Sequence, residues 1–165
     1  MYRTRQFFTA LTARVSETDL TEADALLPAG AGALFRRMPR DGQAHALRVA
    51  RDLKRAGETH PSLLAAALLH DAGKSAARLT PLTRSIFVVL QRLAPHWLQR
   101  LADTGWRRPL VALRDHPRIG ADWARRAGCD ELTVWLIEHH PDHLDDISSD
   151  RARLLRALQA VDDQN

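Results

Sequence analysis

PSLLAAALLHDAGKS, residues 61 to 75, runs from a proline through a nearly unbroken apolar stretch into an adjacent histidine and aspartate, then closes on glycine and lysine. Its apolar residues wrap all the way round a helix and show no alternation of period two, so it reads as the buried central helix of a globule. Pro61 suits a first turn, where its missing N–H costs nothing. Gly73 sits where a left-handed cap would close the helix. His70 and Asp71 therefore leave the most apolar segment of the chain at its exit, where each polar group costs about 1–3 kcal/mol if it finds no partner.

Working outward, apolar residues recur at three and four spacing almost everywhere, which predicts an all-α fold of about eight or nine helices. TEAD at 21–24 resembles a capping box opening a short helix through Leu27, ended by Pro28. A second short helix is expected over 33–38. From Asp41 to Ala56 the stripe Ala46, Val49, Ala50 and Leu53 predicts a helix stopped by Gly57. Prolines then open expected helices over 81–93, 95–102 and 109–114, and further helices are expected over 117–127, 130–140 and 150–162. Residues 141–150 form an acidic, turn-rich loop.

The 165 residues suffice for one domain with a sizeable core, read as 1–165 with a motif core at 41–162, a helical N-terminal extension at 1–40 and a helical insertion at 78–114. A hydrophobic share of 45% with 27% charged residues excludes a mostly disordered chain. Cys129 is the single cysteine, which excludes an internal disulfide or a thiolate metal cluster and favours a reducing compartment. Arg14 interrupts the N-terminal apolar residues before a signal-peptide core can form, and IFVVL at 86–90 is far too short to span a bilayer. The expected location is cytoplasmic.

The formal charge is +4, and all 24 basic residues except Lys54 and Lys74 are arginine. This balance favours anionic ligands. The arginines are scattered and do not alternate with aromatics, so no specific nucleic-acid partner is expected.

Polar side chains on apolar stripes identify the candidate site. His45 lies beside Ala46 and one turn before Val49. His139 and His140 continue the direction set by Leu132, Leu136 and Ile137, so both are expected to point inward. Asp162 extends the stripe of Leu154, Leu158 and Val161, whereas Asp163 falls off it. His116 precedes Pro117 as the expected N-cap of its helix, with Gly120, Trp123, Ala124 and Ala127 facing inward. Any one of these histidines alone reads as a half-buried ring satisfied by a carbonyl. Together, histidines and two aspartates converging from separate helices demand a cation. Imidazole nitrogens with carboxylate oxygens suit iron, manganese, nickel or zinc, as one ion or two. His60 and His96 read as capping or surface residues, His143 as a solvated loop residue, and Asp41 as an N-terminal helix carboxylate.

The set His45, His70 with Asp71, and Asp162 resembles the HD-domain superfamily of metal-dependent phosphohydrolases over about residues 41–162. HDAGK, HPRIG and EHHPD are further similar to the HD-GYP subgroup, which implies that His116, His139 and His140 hold a second ion with Asp71 bridging both. PDHLDD replaces that subgroup's acidic and GYP continuation, so the resemblance does not carry cyclic dinucleotide cleavage.

The expected chemistry is hydrolysis of a phosphomonoester or phosphodiester, in a nucleotide or related molecule, by attack of metal-bound hydroxide. Asp71 would ligate and orient the nucleophile, Lys74 would hold a phosphate as a point charge, and Arg118 would make a second phosphate contact. The rival expectations are a noncatalytic signalling or scaffold domain of the same fold and, less favoured by the scattered arginines, a basic nucleic-acid-binding module.

Overall fold

The computed structural model describes residues 15–77, 112–144 and 148–165. Among these residues the secondary structure is wholly helical: α1 (Glu17–Leu26), α2 (Ala31–Arg36), α3 (Arg40–Arg55), α4 (Pro61–Leu69), a 3-10 segment (Ala72–Ala77), α5 (His116–Arg126), α6 (Glu131–His139) and α7 (Asp150–Asp162). The expected helices over 81–93 and 95–102, the first half of 109–114, and Trp97, Trp106, Arg107 and Arg108 of the insertion lie outside the described residues, as does His96.

α4 is the hub. Ser62 to Leu69 are all buried, and the helix is touched by α1, α2, α3, α6 and α7. Because α4 is apolar on every side, each neighbour lays its own stripe against it: Ala46, Val49, Ala50 and Leu53 from α3, Val134, Leu136 and Ile137 from α6, and Leu154, Leu155 and Leu158 from α7. Each fully buried leucine or isoleucine contributes about 1.5–3 kcal/mol relative to an exposed one. Phe35 and Leu34 of α2 join the same cluster with Ala23 of α1, so α1 and α2 pack into the core that the motif helices build.

Helix ends follow their local chemistry, with three departures from expectation. The working capping box is Ser16 with Asp19, not Thr21 with Asp24. Asp19 N–H donates to Ser16 Oγ at 3.2 Å and Ser16 N–H donates to Asp19 Oδ2 at 2.8 Å. Thr21 sits one turn inside the helix and its hydroxyl donates back to the Glu17 carbonyl at 2.9 Å. α2 starts at Ala31, two residues earlier than expected, because the Ala31 N–H reaches the Pro28 carbonyl at 2.8 Å. Gly73 is not a left-handed cap: the described glycines with positive φ are Gly57 and Gly128, which follow α3 and α5. At Gly73 the chain instead tightens into the 3-10 segment.

Two groups pin the N-terminal helices to α3. Arg51 bonds Asp19 and Glu22 of α1, and its guanidinium holds the Asp19 carboxyl down at about 2. Buried Gln43 donates to the carbonyls of Met38 at 2.8 Å and Arg36 at 3.1 Å. Among the described residues no helix is long and apolar enough to cross a membrane.

Candidate metal centre

Five helix ends or faces deliver the side chains. His45 comes from the middle of α3, His70 and Asp71 from the exit of α4, His116 from the first residue of α5, His140 from the C-cap of α6, and Asp162 from the last residue of α7. The buried hub explains the convergence: α3, α5, α6 and α7 reach the α4 exit, or the 3-10 segment after it, through their own apolar contacts.

The residues fall into two sets that share Asp71: His45, His70 and Asp71, and Asp71, His116 and His140. In the first, Asp162 Oδ1 stands 2.9 Å from His45 Nε2 and 3.4 Å from His70 Nε2. In the second, His116 Nε2 and His140 Nε2 are 3.3 Å apart. The shared atom is Asp71 Oδ1, which lies 3.8 Å from His70 Nε2, 3.6 Å from His116 Nε2 and 3.9 Å from His140 Nε2. Its other oxygen, Oδ2, accepts from Lys74 Nζ at 2.6 Å. The four imidazoles form a chain, with ring centroids of 5.4 Å for His45 and His70, 5.2 Å for His70 and His140, and 5.2 Å for His116 and His140.

Hydrogen bonding fixes the tautomers. Each Nδ1 of His70, His116 and His140 faces a backbone carbonyl, of Ala67 at 3.0 Å, Leu113 at 2.6 Å and Ile137 at 2.8 Å. A carbonyl only accepts, so each Nδ1 carries the proton, and the neutral rings of His116 and His140 each turn a bare Nε2 lone pair into the site. Two such lone pairs at 3.3 Å in His116 and His140 repel unless a cation or an extra proton lies between them. His70 Nε2 and Asp71 Oδ1 are both buried without a hydrogen-bond partner. Two unpartnered buried polar atoms 3.8 Å apart fit a bound cation, whose nitrogen and oxygen donor set suits a transition metal. Carbonyl-bound Nδ1–H is also the usual second contact that orients a ligating histidine.

The electrostatics agree. Burial pushes His140 down to about 4, and burial with the Lys74 charge pushes His116 below its usual value, so both rings are neutral at pH 7. Burial acts to lower His70 too, but the Asp71 and Asp162 charges outweigh it and leave that ring raised. Burial acts to raise Asp71, while Lys74 and His70 hold it well below the carboxylate range. Asp162 is likewise held low against its burial by the adjacent imidazoles of His45 and His70.

Six of the expected ligands thus meet in one place: His45, His70, Asp71, His116, His140 and Asp162. His139 does not join them. Successive helical residues diverge by about 100°, so only one of the histidine pair can face Asp71. His139 turns instead onto Trp135, at a centroid distance of 4.6 Å, and its Nδ1 pairs with Asp142 at 2.6 Å. His116 is the first helical residue and Asp115 takes the N-cap place expected of it. Arg118 is exposed on α5, and His60, His143 and Asp163 are exposed as well. Cys129 is buried, and its thiol is pushed up to about 11, which leaves it protonated.

Sequence reasoning missed Gln159. Its Nε2 donates to the carbonyls of His140 at 3.0 Å and Asp142 at 2.7 Å, tying the end of α6 to the helix that carries Asp162. The signal was present, since Gln159 precedes Asp162 by three residues and shares its helix face.

Fold and site together define a helical domain whose clustered histidines and aspartates could hold a metal ion. The family model of the HD domain matches residues 42–162, and the chain belongs to that family, a superfamily of metal-dependent phosphohydrolases. No curated protein and no solved structure matches the chain.

Proposed function

We propose that the protein is a phosphohydrolase that uses two divalent cations to cleave a phosphomonoester or phosphodiester of a nucleotide-like molecule. The observation that carries this reading is Asp71 Oδ1, buried without a hydrogen-bond partner and within 3.9 Å of the Nε2 atoms of three histidines. His45, His70, Asp71 and Asp162 would hold one ion, and Asp71, His116 and His140 the other. Bound there, divalent ions supply water acidified toward neutral pH and charge neutralisation on phosphoryl oxygens.

The chain's own residues supply the rest. Asp71 orients whatever occupies the space between the two sets, because its Oδ2 is anchored by Lys74 and only Oδ1 faces the imidazoles. An ammonium has three donors, and the bond to Asp71 uses one, which supports a phosphate contact by the remaining N–H groups of Lys74. Arg118, exposed two residues after His116, would in this reading swing to the rim as a second phosphate contact. His139 with Asp142 remains outside both sets in this reading.

The test is to purify the protein, measure its metal content, and screen phosphatase and phosphodiesterase substrates with manganese or ferrous iron. Turnover that depends on added metal and disappears in Asp71→Ala supports the reading. A metal-free protein that stays inactive after reconstitution on every phosphoester class overturns it.

A further inference from the structure

We propose that Gly73 and Gly120 form a backbone seat that sets the spacing between Asp71 and His116, which makes both glycines positioning residues for the second cation. This rests on the two-set reading above.

Each glycine is coupled through a short helical stretch to one ligand. Gly73 follows Asp71 by two residues in the 3-10 segment, and Gly120 follows His116 by one turn on α5. Neither has a positive φ, so neither is there for backbone freedom. Space is what they provide. A Cβ on Gly73 would stand 2.0 Å from the His116 carbonyl oxygen and 2.8 Å from the Gly120 nitrogen. A Cβ on Gly120 would stand 3.3 Å from the Gly73 nitrogen and 3.3 Å from Ile137 Cγ2. The obstructing atoms are mostly backbone, and backbone cannot rotate aside.

The elements behind the contact cannot retreat independently. The His116 carbonyl belongs to a ligand whose ring is itself held by Leu113 at 2.6 Å. Ile137 closes the far side of Gly120, and it lies on α6 three residues before His140, whose Nδ1 bonds the Ile137 carbonyl. A methyl group at Gly120 therefore wedges the 3-10 segment, α5 and α6 apart together. It opens the 3.6 Å between Asp71 and His116 and the 3.3 Å between His116 and His140. Ligand distances tolerate only about 0.2 Å, so a displacement of a few tenths of an ångström is enough to spoil the second set. His45, His70 and Asp162 come from α3, α4 and α7, none of which supplies an atom to this contact, and Asp71 is joined directly to the end of α4, so the movement falls on His116 and the first set is spared.

Selectivity is the signature that separates positioning from general destabilisation. Mn2+ binding is measured by titration calorimetry on the wild-type chain, Gly120→Ala and the control Gly42→Ala, whose Cβ would meet Met38 Cε at an ordinary 3.6 Å. We expect two equivalents in the wild type and in the control. Gly120→Ala should keep one equivalent at wild-type affinity and bind the other about 10-fold or more weakly, with its helical signal intact. Two equivalents at wild-type affinity in Gly120→Ala overturn the proposal, and so does equal weakening of both. A single equivalent in the wild type refutes the two-set reading instead. In that case the crystal structure of metal-free Gly120→Ala decides: a lengthened Asp71 to His116 distance supports the seat, and an unchanged 3.6 Å overturns it. Gly73→Ala, with the harder clash, should exceed the Gly120→Ala effect in either measurement.

Discussion

His116 Nε2 stands 3.3 Å from His140 Nε2 while each ring donates its Nδ1 proton to a carbonyl, so two lone pairs face each other across the site. A cation between them relieves that conflict, and folding stability should register it. Mn2+ at about 100 times its dissociation constant should stabilise the fold by about 2.7 kcal/mol per site, a rise of roughly 5–10 °C in Tm. The measurement is a thermal melt with and without metal. A midpoint indifferent to Mn2+, Zn2+ and Fe2+ would contradict the assignment.

Asp71 is the residue both sets share. Asp71→Ala should remove both the metal-induced rise in Tm and metal-dependent turnover while the helical circular dichroism persists. Asp71→Asn tests charge apart from shape: it keeps the Lys74 side supplied with an acceptor but should lose most of the metal response. Full metal response in Asp71→Asn would show that the carboxylate is not a ligand.

The adjacent aspartates at the end of α7 give a sharper contrast. Asp162 sits 2.9 Å from His45 Nε2, and Asp163 is exposed. Asp162→Ala should weaken metal binding strongly, whereas Asp163→Ala should stay within about 0.5 kcal/mol in stability and leave metal binding unchanged. Metal titrations of both variants check this, and equal effects would break the assignment.

His140 makes the metal-free fold acid-sensitive. Burial holds the ring down at about 4, against 6.5 for the exposed ring, so between those values the unfolded chain binds the additional proton. Stability from this group is therefore present above pH 6.5 and lost as pH falls toward 4, on the order of 3 kcal/mol in total. Denaturant melts of the metal-free protein across that window should show the slope, and His140→Gln should flatten it. An unflattened slope would mean that the ring is not desolvated as described.

Much of this was legible because the helices carry strong periodicity. The stripes of α3, α6 and α7 located His45, His140 and Asp162, and the uniform apolarity of residues 62–69 located the hub. Phase alone separated Asp162 from Asp163. It failed for the histidine pair at 139 and 140, because both follow apolar positions by three or four residues and only the packed structure selects which one turns inward. Glycine was also ambiguous. Gly57 takes the left-handed turn expected after its helix and Gly128 takes another after α5, but Gly73 serves a close backbone approach to α5, a tertiary fact with no local signature. The capping box was misplaced because SETD and TEAD carry the same pattern, and the chain begins its helix at the first.

The most direct test is a crystal of protein grown with manganese, with anomalous scattering collected at the site. The account predicts two peaks, both within about 2.0–2.3 Å of Asp71. One should be bounded by His45, His70 and Asp162 and the other by His116 and His140. Peaks that leave Asp71 untouched, or none at all beside these histidines in a crystal containing the metal, would contradict it.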